Sequence, residues 1–169
     1  MALTATARTQ LRTIAVFFAL LGAFSGVYQF EKRVSGRYLD LPYTRLVTIA
    51  SQHLGQVLLP FPVGRRGDIT LATGGAAVVI RGGCNGIEAL FLLLAGVLAV
   101  PAPWRRRAEA LALYLPLLFV LNLFRVLMLL YIMARYPDLI DLFHYQIGQG
   151  IMILFVLAFW LHHVRRVQA

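Results

Sequence analysis

The 169-residue chain is 60% hydrophobic and 14% charged with a mean hydropathy of +0.75. Soluble domains hold about half apolar and a quarter charged residues, so this composition indicates an integral membrane protein. The formal charge of +9 sits in short basic groups beside apolar runs, which argues against a nucleic-acid surface, and the single cysteine, Cys84, excludes an internal disulfide or a paired-cysteine zinc or redox site.

The first apolar segment runs from about Thr13 to Phe30, behind Arg8 and Arg12. It has the flanks of a signal peptide, but Gln29-Phe-Glu-Lys-Arg33 follows rather than a small-residue cleavage site, so it is expected to be retained as an anchor. From Leu41 to Phe61 the apolar residues Leu46, Val47, Ala50, Leu54, Val57, Leu58 and Phe61 follow a helical period. Arg45, Thr48, Gln52 and Gln56 take the other face. This spacing predicts an amphipathic helix in the membrane interface, with His53 at its polar edge. Ile69–Thr73 and Ala76–Arg81, joined by Gly74-Gly75, predict a short β-hairpin that delivers Gly82, Gly83 and Cys84 to the next span.

Three further segments approach the roughly 20 residues that a hydrocarbon core requires: about Cys84 to Val100, Ala108 to Ala134 and Ile147 to His163. The fold expected is an all-α, four-span bundle in a single domain over residues 1–169, with residues 31–83 forming an outer segment. Short cytoplasmic loops are rich in Lys and Arg. With four spans, Arg8 and Arg12, Arg105–Arg107, and Arg165 with Arg166 all fall on one side, which makes both termini cytoplasmic. A fifth span at 41–61 would break that pattern. His162 and His163, beside the last arginines, are expected to be interface anchors.

This topology brings three reactive side chains to one depth. Cys84 opens the second span from outside, and His144 opens the fourth. Arg125 lies about 17 residues beyond the inner start of the third, roughly 25 Å up. Each has a plainer reading alone: a small buried thiol, a snorkelling guanidinium and an interfacial imidazole. An intramembrane Arg is nonetheless a functional candidate, since its charge costs about 2.5–3.5 kcal/mol near the bilayer centre on insertion scales. Glu88 stands one helical turn below Cys84, where Arg125 is its expected partner, either as a structural tie or in a catalytic role. Cys, His and Arg together suit acyl transfer: a nucleophile, a proton carrier and a donor to an oxyanion or thiolate.

The stretches Cys84-Asn-Gly-Ile-Glu-Ala89, Asn122-Leu-Phe-Arg125 and Phe143-His-Tyr-Gln146 resemble, in this order, the three motifs of the exosortase/archaeosortase family. Those are multi-spanning enzymes proposed to cleave and transfer proteins with C-terminal sorting signals. The likeness runs from about Gly67 to the C-terminus and is nearest to the short exosortase H branch. It implies that Cys84, Arg125 and His144 are catalytic. Asn85, Gly86, Glu88, Asn122 and Gln146 are then supporting or close to substrate.

The same resemblance implies, as partners, exported proteins bearing a short motif such as Ile-Pro-Thr-Leu, then a transmembrane helix and a basic cluster. The expected location is a bacterial inner membrane, in contact with its lipid, with the site facing the periplasm. No cofactor, metal or nucleic acid is expected, and the acyl acceptor stays open among water, an amine and a glycan. A non-enzymatic membrane subunit is the competing possibility; a small transporter is a third, without broken or repeated spans to support it.

Overall fold

A computed structural model describes residues 5–168. It is mostly helical. The elements are α1 (Ala5–Val34), α2 (Asp40–Leu58), β1 (Gly64–Arg65), β2 (Thr70–Thr73), β3 (Ala76–Val79), α3 (Ile87–Ala99), α4 (Trp104–Arg135) and α5 (Gly148–Gln168). Between α4 and α5 lie a 3₁₀ turn, Pro137–Leu139, and a π-helical turn, Leu142–Ile147.

Among the described residues, three helical segments are long and apolar enough to cross a membrane: Ala7–Val34, Trp104–Arg135 and Leu142–Gln168. The span expected at Cys84 to Val100 is shorter than anticipated, because α3 begins only at Ile87 and holds 13 residues. At 1.5 Å per residue it reaches about 20 Å. Gly86 (φ +80°) stops helical backbone from extending upward, and Pro101 and Pro103 stop it below. Cys84, Asn85 and Gly86 therefore belong to a turn above α3.

Residues 41–61 are helical up to Leu58, but the face turned to the protein differs from the one expected. The buried side chains are Thr44, Val47, Thr48 and Ser51, with Gly55, while Leu46, Val57 and Leu58 are exposed. Small residues let α2 approach α4. A Cβ at Gly55 would stand 2.9 Å from a Leu127 methyl carbon. Two of the hydroxyls have partners: Thr48 donates to the Thr44 carbonyl at 2.7 Å and Thr44 Oγ1 accepts from Asn85 Nδ2, while the buried Ser51 hydroxyl has none among the described residues.

The strands form one antiparallel sheet in the order β1-β2-β3. Thr73 pairs with Ala76 around Gly74-Gly75, and Ile80 donates to the Ile69 carbonyl just beyond the hairpin. β1, pairing Gly64 with Ala72, adds an edge that the sequence pattern did not suggest. Leu71 and Ile80 are fully buried in a cluster with Val47, Cys84, Val126 and Leu130, so the sheet and α2 cap the Cys84 end of α4. A second cluster, including Leu93, Val97, Tyr114, Leu118, Met152 and Val156, joins α3, α4 and α5. His163, expected to be an interface anchor, is instead buried near Ala110 and Tyr114, whereas His162 is exposed.

Candidate active site

The turn before α3 is held from several sides. The N–H groups of Cys84 and Asn85 both donate to the Arg81 carbonyl, at 2.8 and 3.0 Å. Asn85 is fully buried. Its Oδ1 accepts the Ile87 N–H at 3.2 Å, supplying one of the unpaired donors at the start of α3. Its Nδ2 faces Thr44 Oγ1 (3.0 Å), Asp40 Oδ1 (3.3 Å) and the Tyr28 hydroxyl (3.5 Å), and that hydroxyl itself donates to Asp40. One side chain thus ties the turn to α1 and α2.

On the other side, Asn122 Nδ2 donates to the Asn85 carbonyl at 2.8 Å. Gly86 is required twice over: its φ is left-handed, and a Cβ would stand 2.6–2.9 Å from the Asn122 amide group.

Cys84 Sγ lies 3.3 Å from His144 Nδ1 and 3.7 Å from Nε2. The thiol is 7% exposed, and His144 is half-buried in the π-helical turn. Cys84 precedes α3 and sits outside every helix. Burial pushes its thiol up, opposed by Arg125 and reinforced by Glu88. Burial thus favours the protonated thiol, and His144 is in position to take the proton.

Arg125, 6% exposed, points Nη1 at the Gly83 carbonyl (2.9 Å) and Nη2 at Gln149 Oε1 (3.1 Å); its Nε is buried without an acceptor. The expected pairing with Glu88 is not found. Among the described residues no ion pair joins them, and Glu88 Oε2 instead accepts the Gly83 N–H at 3.0 Å. The two charges grip opposite ends of the residue before the cysteine. The physical reason is local: with φ +90°, Gly83 turns its own N–H and C=O toward the two side chains, and these strong, charge-assisted bonds replace the direct tie.

Cys84, His144 and Arg125, predicted from three separate motifs, thus meet around one turn, with Asn85, Gly86, Glu88 and Asn122 shaping it. Gln146 does not join them: it is exposed and no side-chain hydrogen bond holds it. Gln149 takes that place. Gly148 donates its N–H to the Phe143 carbonyl, a five-residue step that sets His144 and Gln149 one π-turn apart. Gly148 also lets this turn close on α4, since a Cβ there would stand 2.7 Å from the Phe143 carbonyl oxygen and 3.0 Å from Arg125 Nε. A cavity of about 280 Å³ opens beside the turn, with Gly83, Gly86, Glu88, Arg125 and Gln149 in its wall. Among the described residues, no group of three or more His, Cys, Asp or Glu side chains is placed to hold a metal ion.

A family model described as transmembrane exosortase matches residues 1–162. No curated protein and no solved structure matches the chain.

Proposed function

The chain belongs to the transmembrane exosortase family, and from that premise we propose that it is a membrane-embedded cysteine transpeptidase or protease acting on C-terminal sorting signals of exported proteins. The observation that carries this reading is the 3.3 Å approach of Cys84 Sγ to His144 Nδ1. In an apolar protein a lone buried thiol needs no imidazole partner for packing. A nucleophile does.

In the reaction proposed, His144 takes the thiol proton and Cys84 Sγ attacks the scissile carbonyl carbon. The C–N bond breaks as imidazolium returns the proton to the leaving amine, and a thioester remains on Cys84. Water or a surface amine or hydroxyl then attacks the thioester, giving its proton to His144, and the sulfur leaves with that proton. Arg125 supports both steps, since its charge stabilises the thiolate and its guanidinium, in the wall of the cavity beside the turn, is a donor to developing negative charge.

The membrane arrangement proposed has four crossings, α3 being the short one, with Arg105–Arg107 and Arg165–Arg166 in the cytoplasm and Cys84 toward the periplasm of a bacterial inner membrane. The substrates, by likeness to the exosortase H branch, carry a short motif, an apolar helix and a basic cluster. Cys84→Ala tests the reading directly. The variant should accumulate in membranes at the wild-type level while a matched substrate stays uncleaved; normal processing by it would remove the enzyme assignment.

A further inference from the structure

The cavity beside Cys84 is the upper half of a longer feature. A second cavity of about 260 Å³ lies below it, and both include Leu92 and Val156 in their walls. Each of three helices contributes one unbroken stripe through the pair. On α5 it runs Gln149, Met152, Ile153, Val156, Leu157 and Trp160, which is the i, i+3, i+4 pattern of a single helix face. On α3 it runs from Glu88 through Leu92 to Gly96 and Ala99, and on α1 from Ser25 through Leu21 and Phe17 to Thr13. The eleven-residue step from Gln149 to Trp160 spans about 17 Å.

α1 and α5 both pack on α3 but not appreciably on each other, so the trough between them has α3 as its floor and opens sideways. Its lower half is walled by apolar side chains and Thr13, with the Thr13 hydroxyl already given to the Thr9 carbonyl and the Trp160 N–H to the Gly96 carbonyl. Its upper half carries Glu88, Arg125 and Gln149, with Gly83 and Gly86 flanking Cys84 and Asn85.

We propose that this trough seats the apolar transmembrane helix of the peptide substrate, with the polar peptide at the helix's outer end lying against the Cys84 turn. This rests on the cleavage reading above. Continuity with the turn selects the occupant, because whatever fills the apolar half has its next segment beside Gly83, Arg125 and Gln149. A partner docked on the outward face of α5, at Leu154, would be separated from Cys84 by the helix itself. Holding the substrate by its helix turns cleavage into a reaction between neighbours and leaves little for a deep soluble cleft to do.

The test uses the full chain in membranes, carrying Cys84→Ala and a photo-crosslinking phenylalanine derivative at one position at a time. The probe is a reporter with an outer domain, the matched short motif, an apolar helix of about 20 residues and a basic cluster. Probes at Leu157 and Phe18, in the trough, should capture the reporter helix at least about tenfold more than probes at Leu154 and Val27, outside it. Equal capture from both sets, or lipid adducts alone at Leu157 and Phe18, would overturn the proposal. Processing of the same reporter by the unaltered chain is scored separately. Cleavage without trough-side capture removes the trough alone, capture without cleavage removes the enzyme reading and keeps the trough, and failure of both removes both.

Discussion

α1 and α4 are nearly equal in length, 30 and 32 residues, and both are apolar enough to cross a membrane, yet half of α4's apolar window is buried in the protein against 6% of α1's. The difference lies in what interrupts the hydrocarbon. α4 carries Tyr114, Asn122 and Arg125 on buried positions, and two of these reach the Cys84 turn. Among the described residues of α1, only Tyr28 is fully buried, while Phe18, Val27 and Phe30 are 62–71% exposed. Length and hydropathy bring a helix into the bilayer; placed polar groups decide whether it becomes scaffold or wall.

If α4 is scaffold, substitutions at its buried polar positions should outweigh those on the exposed face of α1. The largest effect is expected from Arg125→Lys. An ammonium cannot span the Gly83 carbonyl and Gln149 Oε1 as a planar fork does, and loss of the oriented donor should lower cleavage by about a hundredfold to a thousandfold at normal membrane abundance. Near-normal cleavage would leave Arg125 with a charge role only. Next comes Asn122→Ala, which strips the donor from the buried Asn85 carbonyl at a cost of about 1–3 kcal/mol. It should be visible as lower abundance and thermal stability of the detergent-extracted protein.

Gln149→Ala should lower cleavage by less than Arg125→Lys, because Arg125 keeps Gly83 and Gln149 is exposed, so that water can take the place of its amide oxygen. Gln149→Glu, which keeps an acceptor, should restore most of the loss, and a merely space-filling role would not show that rescue. Glu88→Gln likewise keeps an oxygen for the Gly83 N–H and should stay close to wild type in abundance, whereas Glu88→Ala should not. The smallest effect belongs to α1. Val27→Ala, on its exposed face, should change stability by no more than about 0.5 kcal/mol, and a loss as large as that of Asn122→Ala would erase the contrast between the two helices.

The membrane class, the hairpin region and the convergence of Cys84, His144 and Arg125 were legible in sequence because hydropathy and arginine placement order the chain by depth, and residues of equal depth have little room to avoid one another. Three features around the Cys84 turn were not legible. The packed face of α2 is its small hydroxyl-bearing side, since Thr44 and Thr48 find partners that composition does not show. Gln149 was missed in favour of Gln146 because an α-helix would place a residue five positions after His144 about 140° around the axis, and only the π-turn brings it back. Glu88 and Arg125 looked like a pair because both are charges in apolar runs. Gly83, which has no side chain to attract notice, stands between them with both backbone groups engaged.

The two partners of Arg125 also carry a consequence for how the protein is made. Gly83 leaves the ribosome before Arg125 and Gln149 after it, so α4 enters the membrane when only one of the two acceptors exists. A guanidinium inside the hydrocarbon core is costly, by up to about 2.5–3.5 kcal/mol at its centre on insertion scales, and the Gly83 carbonyl, already synthesised, is the group that can shelter it during that interval. The π-helical turn and α5 arrive last, bringing His144 and Gln149. The thiol therefore has no His144 imidazole beside it until synthesis is nearly complete, and a nascent chain halted before residue 142 lacks the Cys84–His144 contact.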